Sequence, residues 1–205
     1  MRGGGREVTE LRKNLSYEQI ILAAVAEVVE VGYEALSLRR VAERLEVKPA
    51  SLYNHIDGVA DLRAGIAIHS AGGLESAILA AMDGRDREEA FLRGCLAYRD
   101  YATENSALYH ALISARSLND ERVHRAGMRV FEPLIAIVRS YGFSEVETTN
   151  FHRALRSSIH GFIELCNNGF MTQGPTSRDD SYLAMIEKFK QILIHYPGDR
   201  KENKQ

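Results

Sequence analysis

The stretch SLRRVAERLEVKPASLYNHI, residues 37–56, decides the fold. Ser37 stands before an apolar-periodic run, as a helix N-cap does. Val41 and Leu45 share one helical face, so a short helix is expected through about Leu45. Lys48-Pro49 opens a second short helix, because proline is tolerated in a first turn. Leu52 and Ile56 are its buried stripe. Val41 and Ala42 are small apolar residues that let the two helices approach, and Leu52 locks the second onto the first. Lys48, Pro49, Ala50, Ser51, Tyr53, Asn54 and His55 then point outward. Two such helices make a helix-turn-helix when an earlier helix braces them.

That brace precedes the stretch. Ser16 and Gln19 have capping-box spacing, and Ile20, Ile21, Ala24, Val25, Val28 and Val31 recur at helical spacing. Gly32 is placed to end this helix in a left-handed conformation. Residues 1–14 are polar and Gly/Arg-rich and read as a flexible arm. Residues 15–62 are therefore expected to form a helix-turn-helix domain. Downstream, Gly58 starts a helix reaching about Met82. Further helices are expected near 86–103, 105–116, 119–140, 145–168 and 180–195. The fold class is all-α with about nine helices, residues 63–196 forming a helical bundle and 197–205 a polar tail. No segment shows sustained strand alternation, and there is no fixed-period repeat.

Composition narrows the function. The 205 residues are 45% hydrophobic and carry a net charge of −2, so any nucleic-acid site depends on local cation placement. Residues 1–62 hold eight lysines and arginines against ten carboxylates, half of the acids falling in the arm and the first helix. Cys95 and Cys166 form no metal-binding or redox pair, which fits a reducing cytoplasm. Met1-Arg2-Gly3-Gly4-Gly5 lacks a signal-peptide core, and no uninterrupted apolar run approaches membrane-spanning length. A cytoplasmic chain without a membrane partner is expected. No GxSxG, HExxH or P-loop is present, so an enzyme is not expected and no cofactor is called for.

The residues Gly32-Tyr33, Ser37, Val41-Ala42, Val47 through Ile56 and Leu62 resemble the TetR family of repressors over about forty-five positions. The resemblance implies that Ser37 caps its helix and touches a phosphate. Arg39 matches a position that reads guanine, for which a guanidinium is suited. Lys48, Pro49 and Ala50 match the base-facing start of the recognition helix, and Asn54 is a further candidate DNA-binding residue by its outward position. Ser51, Tyr53 and His55 match phosphate anchors. Arg12 or Lys13 could add a minor-groove contact. Two positions depart from the family pattern. Val59 replaces a phosphate-binding lysine, which implies a shallower salt dependence. Glu46 replaces a turn glycine, so a slightly different turn is expected, since left-handed glutamate costs roughly 1–2 kcal/mol.

The C-terminal half resembles a TetR subtype with a His-Gly-Phe motif, here His160-Gly161-Phe162, accompanied by Tyr98 to Ala102, Leu108-Tyr109 and Gly169-Phe170. In such proteins this half binds a small ligand and carries the dimer interface. Tyr98, Tyr101, Tyr109, Phe131 and Phe162 are the candidate pocket residues, with ordinary core packing as the alternative. Phe151, Leu155 and Ile159 on one helix, and Tyr182, Phe189 and Leu193 on the next, are candidate homodimer contacts; their alternative is intramolecular core. His160 and Glu164 are one turn apart, but no third ligand is spaced to join them, so no metal is expected. Gly72-Gly73 is either a close-packing point or a flexible point within its helix. The expected function is a DNA-binding regulator, a repressor released from a palindrome by a small-molecule effector. A helical partner-binding module that has lost DNA binding is the alternative, supported by Val59 and the acidic balance.

Overall fold

Ser16 starts the first helix through its own side chain. Its hydroxyl accepts from the Gln19 amide at 3.2 Å, and the Gln19 side chain accepts from the Ser16 amide at 3.0 Å. The computed structural model describes residues 15–197. The expected arm, with Arg12 and Lys13, and the tail after Pro197 lie outside the described residues. The elements are α1 (Tyr17–Val31), α2 (Leu38–Arg44), α3 (Pro49–Leu52), α4 (Gly58–Met82), α5 (Arg87–Glu104), α6 (Ser106–Ser114), a 3-10 turn (Ala115–Leu118), α7 (Glu121–Ser140), α8 (Glu145–Asn167) and α9 (Arg178–Ile194). No strand occurs among the described residues. The all-helical expectation holds. Helix α3 is shorter than expected, a single turn, because the chain leaves helical geometry over Tyr53, Asn54 and His55. These residues have only modest helix propensity.

The chain packs as two units, with boundaries after Gly73 in α4 and after Gly127 in α7. The first unit joins α1–α3 and the start of α4 to residues 105–127. Its core gathers Ile20, Ala24, Val28, Val41, Ala42, Leu52, Ile56, Leu62, Ile66, Leu108 and Ala111. A division after residue 62 therefore misses the part played by α6, which packs on α1 and supplies Leu108 and Ala111 to this core. The Ser70 hydroxyl donates to the Leu108 carbonyl at 2.9 Å and ties α4 to α6. At the rim, Arg122 reaches both Asp61 and Asp120 at 2.7 Å. Its hydrogen bond pulls the Asp120 carboxyl down to about 2. Gly65 lies where α4 meets α1: a Cβ there would stand 2.3 Å from Ile21 Cδ1, so a larger residue would make the Ile21 and Tyr17 side chains give way.

In the second unit α5 packs against α8 and α9. The Tyr182 hydroxyl donates to the Cys95 carbonyl at 2.7 Å inside this core. Burial pushes the Cys95 thiol up. Phe151 is the centre of an aromatic cluster, with ring centroids 6.1 Å from Phe91, 5.7 Å from Phe143 and 5.5 Å from Phe189. Phe151, Leu155, Ile159, Tyr182 and Leu193 are all buried within the single chain, and Phe189 is half-buried. For Phe151, Leu155, Ile159, Tyr182 and Leu193 the alternative of intramolecular core is the one the structure follows, which corrects their place among the expected dimer residues; half-buried Phe189 is not closed off in this way. Helical periodicity finds a buried face without naming what covers it.

Helix α4 is, by length and composition, apolar enough to cross a membrane, although its apolar run is interrupted by Asp61, Arg63, His69 and Glu75. Its residues Leu62, Ile66, Leu74 and Ile78 are fully buried in protein, as in the core helix of a globular fold. Gly72 has open space where a Cβ would lie, so close packing does not explain it. The unit boundary follows directly after Gly73.

Candidate nucleic-acid interface

Residues 37–56 separate into a buried and an outward set. Val41, Ala42, Leu52 and Ile56 are buried in the first unit's core. Arg39, Lys48, Pro49, Ala50, Tyr53, Asn54 and His55 are exposed, and Ser37 and Ser51 are half-buried. Ser37 caps α2 by accepting from the Arg40 amide at 3.3 Å. Lys48 occupies the N-cap position of α3 and makes no side-chain cap bond, while Pro49 takes the first turn. Lys48, Ser51, Asn54 and His55 line one depression together with Leu15, Glu46 and Val47. Arg39 lies one helix earlier and is not among its lining residues.

The turn between α2 and α3 is made in the standard way by an unusual residue. The Val47 amide donates to the Ala42 carbonyl at 3.0 Å and the Glu46 amide to the Glu43 carbonyl at 3.1 Å, a Schellman closure. Glu46 sits at its left-handed position with φ 55°. The altered turn expected from this glutamate does not occur: the hydrogen bonds and the packing of Val47 hold the geometry, and the side chain is forced to accept it. Replacing Glu46 with glycine is expected to stabilise the protein by about 1 kcal/mol, because Gly bears no Cβ penalty there. Chemical denaturation reads this as a higher midpoint at unchanged slope.

Charges on this unit are paired in ways that composition does not reveal. Arg39 donates to Glu43 at 2.8 Å, with its side chain 83% exposed. The i,i+4 spacing carried that signal. Glu27 is the larger surprise. Its side chain is only 5% exposed, and it accepts from Arg40 at 2.5 Å and Arg44 at 2.8 Å, while Arg44 also bonds Glu30. The acid counted on the first helix is thus a buried clamp between α1 and α2. Its position three residues after Ala24 on the apolar stripe was the available sign. Hydrogen bonds from Arg44 and Arg40 hold its carboxyl below the usual carboxylate range. A lowered native pKa adds stability above the unfolded value of about 4.3, and that stability is lost as pH falls through the native value. Urea melts between pH 7 and pH 3 should therefore show a steeper acid loss for the natural chain than for Glu27→Gln.

The candidate pocket residues do not converge. Tyr109 is buried in the first unit, whereas Tyr98, Tyr101, Phe131 and Phe162 belong to the second. Tyr98 faces Phe131 at 5.2 Å, and Phe162 packs on Tyr182 at 5.2 Å. Tyr98, Tyr109, Phe131 and Phe162 are buried as core, with Phe131 and Phe162 bordering two different clefts, and Tyr101 is half-buried. As a single pocket this set is corrected. No group of three metal-ligating side chains gathers among the described residues.

Known proteins share this arrangement. Residues 20–60 match the model of bacterial regulatory proteins of the tetR family, and residues 91–189 match the tetracyclin repressor-like C-terminal domain. An uncharacterized HTH-type transcriptional regulator of Mycobacterium tuberculosis, Rv0681, is 32% identical over 77% of this chain and 72% of its own length. Another, YobS of Bacillus subtilis, is 30% identical over 72% of this chain and 78% of its own. The structure of the TetR family regulator PfmR from Thermus thermophilus is 26% identical, with a TM-score of 0.59 over 84% of this chain and 97% of that one. With its helix-turn-helix matched by family and by these relatives, the chain belongs to the TetR family of transcriptional regulators.

Proposed function

We propose that this regulator is a homodimeric cytoplasmic repressor that reads a palindromic operator through Arg39, Lys48, Pro49, Ala50 and Asn54. Ser37, Ser51, Tyr53 and His55 hold the phosphates. The observation that supports this is the exposure of the outward set around a one-turn helix anchored by fully buried Leu52. Side chains at the start of such a helix reach base edges in a major groove. The C-terminal half, with its His160-Gly161-Phe162 segment, is the effector-responsive part. A small-molecule effector must favour the released state to shift the equilibrium. The dimer contact falls on the outer faces of α8 and α9, where Ala154, Ser157 and Leu165 and then Leu183 and Ile192 are accessible.

Selection of binding sites from random duplex DNA tests this reading. Enrichment of a palindrome with half-sites one or two helical turns apart is the expected result. Failure to enrich any sequence with folded, dimeric protein overturns it and favours a partner-binding module, for which the exposed apolar Val59 speaks. Val59 is 39% exposed at the start of α4, so a longer side chain there is accommodated. The Val59→Lys variant is expected to bind its operator more tightly at low salt. The slope of log K against log salt should steepen by about 0.9 for each added phosphate contact. Anisotropy titrations at several salt concentrations measure it.

A further inference from the structure

The second unit carries a cleft between α7 and α8 of about 330 Å³. That volume lies within the range of small-ligand sites. Its apolar lining is Met128, Phe131 and Ile135, and its opposite wall is polar. Arg139, on α7 with the apolar lining, is answered by Glu132 at 2.5 Å. Arg153 and Arg156 are different: among the described residues no carboxylate pairs with either. The Arg156 guanidinium carbon is instead 5.4 Å from the centre of the Phe131 ring, at the junction of the apolar and polar walls.

Thr148 adds an independent sign. It lines the cleft, it is buried, and its hydroxyl has no hydrogen-bond partner. Thr149 beside it bonds back to the Glu145 carbonyl at 2.8 Å, the usual resort of a helical threonine. A buried hydroxyl left without a partner is unfavourable, and a polar group entering the cleft would relieve it.

We propose that this cleft binds a small amphipathic organic anion, with its carboxylate or phosphate head on Arg153 and Arg156. Its apolar body lies along Phe131, Ile135 and Met128, and the Thr148 hydroxyl donates to the head group. Guanidinium forks suit both head groups. The site's regulatory meaning rests on the effector reading above; anion binding itself does not.

Calorimetric titration of the full chain tests it. Decanoate and 2-naphthoate offer two body shapes, and decanol, 2-naphthol and decyltrimethylammonium supply the same bodies without the negative charge. At least one carboxylate should bind with one site per chain, and its uncharged or cationic match about tenfold or more weaker. Decyl phosphate in place of decanoate decides which head group is preferred. Arg153→Gln lies on an exposed side chain and should fold; it and Arg156→Gln should each weaken the anion about tenfold. Thr148→Val should weaken it less while leaving the fold intact. Three results overturn the proposal: no anion binds, the alcohols bind as well as the acids, or both arginine variants bind undiminished. A separate arm adds the anion to the complex with selected operator. Release of DNA supports the effector role. DNA retained by anion-saturated protein overturns that role without touching the site, and absence of any operator complex before the anion is added counts only against the DNA reading.

Discussion

Replacing Arg39 and Tyr53 together with alanine is expected to weaken operator binding at least a hundredfold while the fold and the dimer survive. The Arg39 side chain is 83% exposed and Tyr53 is 60% exposed, so neither supports the core. A guanidinium bidentate to guanine contributes about 1–3 kcal/mol of discrimination. A hydrogen bond to a charged phosphate contributes about 1.5–3 kcal/mol. Summed for one subunit, the two values reach about a hundredfold already near the low end of their ranges, and a dimer would lose the contacts twice. Loss of Arg39 also releases Glu43 from this ion pair and, on the proposed reading, leaves a bare carboxylate to repel the DNA backbone. Anisotropy with operator duplex gives the affinity, and thermal melting with sedimentation gives fold and assembly. An unchanged Kd would remove Arg39 and Tyr53 from the interface.

The second large effect falls on Leu52. Leu52→Ala is expected to cost about 2–5 kcal/mol, the range for a buried leucine whose cavity cannot collapse fully. Leu52 is fully buried and is the one buried residue of α3. A single helical turn has little stability of its own, because helix nucleation is unfavourable. Its position rests on this side chain and on Ile56 just after it. The melting temperature should fall by roughly 5–15 °C, following the usual size scaling. Operator affinity should fall with it, even below the melting transition, since α3 no longer keeps its place. Ser51→Ala, next to it, should leave stability nearly unchanged and weaken only DNA binding. Equal melting temperatures for Leu52→Ala and the natural chain would show that Leu52 does not hold α3.

Much of this was legible in the residues, and the failures share a cause. Ser16, Ser37 and Pro49 marked helix starts correctly because capping is local: a side chain satisfies an amide two or three residues away. The outward and buried sets of residues 37–56 were legible for the same reason, since both follow from helical spacing. Where covering partners mattered, periodicity was silent. The apolar stripes of α8 and α9 were real, but Phe151 meets Phe189 within the chain, a covering partner that periodicity does not name. Nothing local announced that α6 joins the first unit through Leu108 and Ala111. Glu27 shows the converse. Counted as a solvated acid, it is buried because Arg40 and Arg44 reach it from thirteen and seventeen residues away.

The Arg39–Glu43 pair has a bearing on how a regulator finds its target among random sequence. A lone cation attracts every duplex it passes, whereas a cation joined to a carboxylate presents a dipole whose field fades faster with distance. Residence on arbitrary stretches of chromosome is therefore short as far as Arg39 is concerned. On the proposed reading, phosphates and base edges both compete with Glu43 for the guanidinium, and a base edge offering two acceptors in the right place matches its fork. A local acid thereby lowers the share of Arg39 in the hold on arbitrary sequence and raises its share in the choice of the correct one.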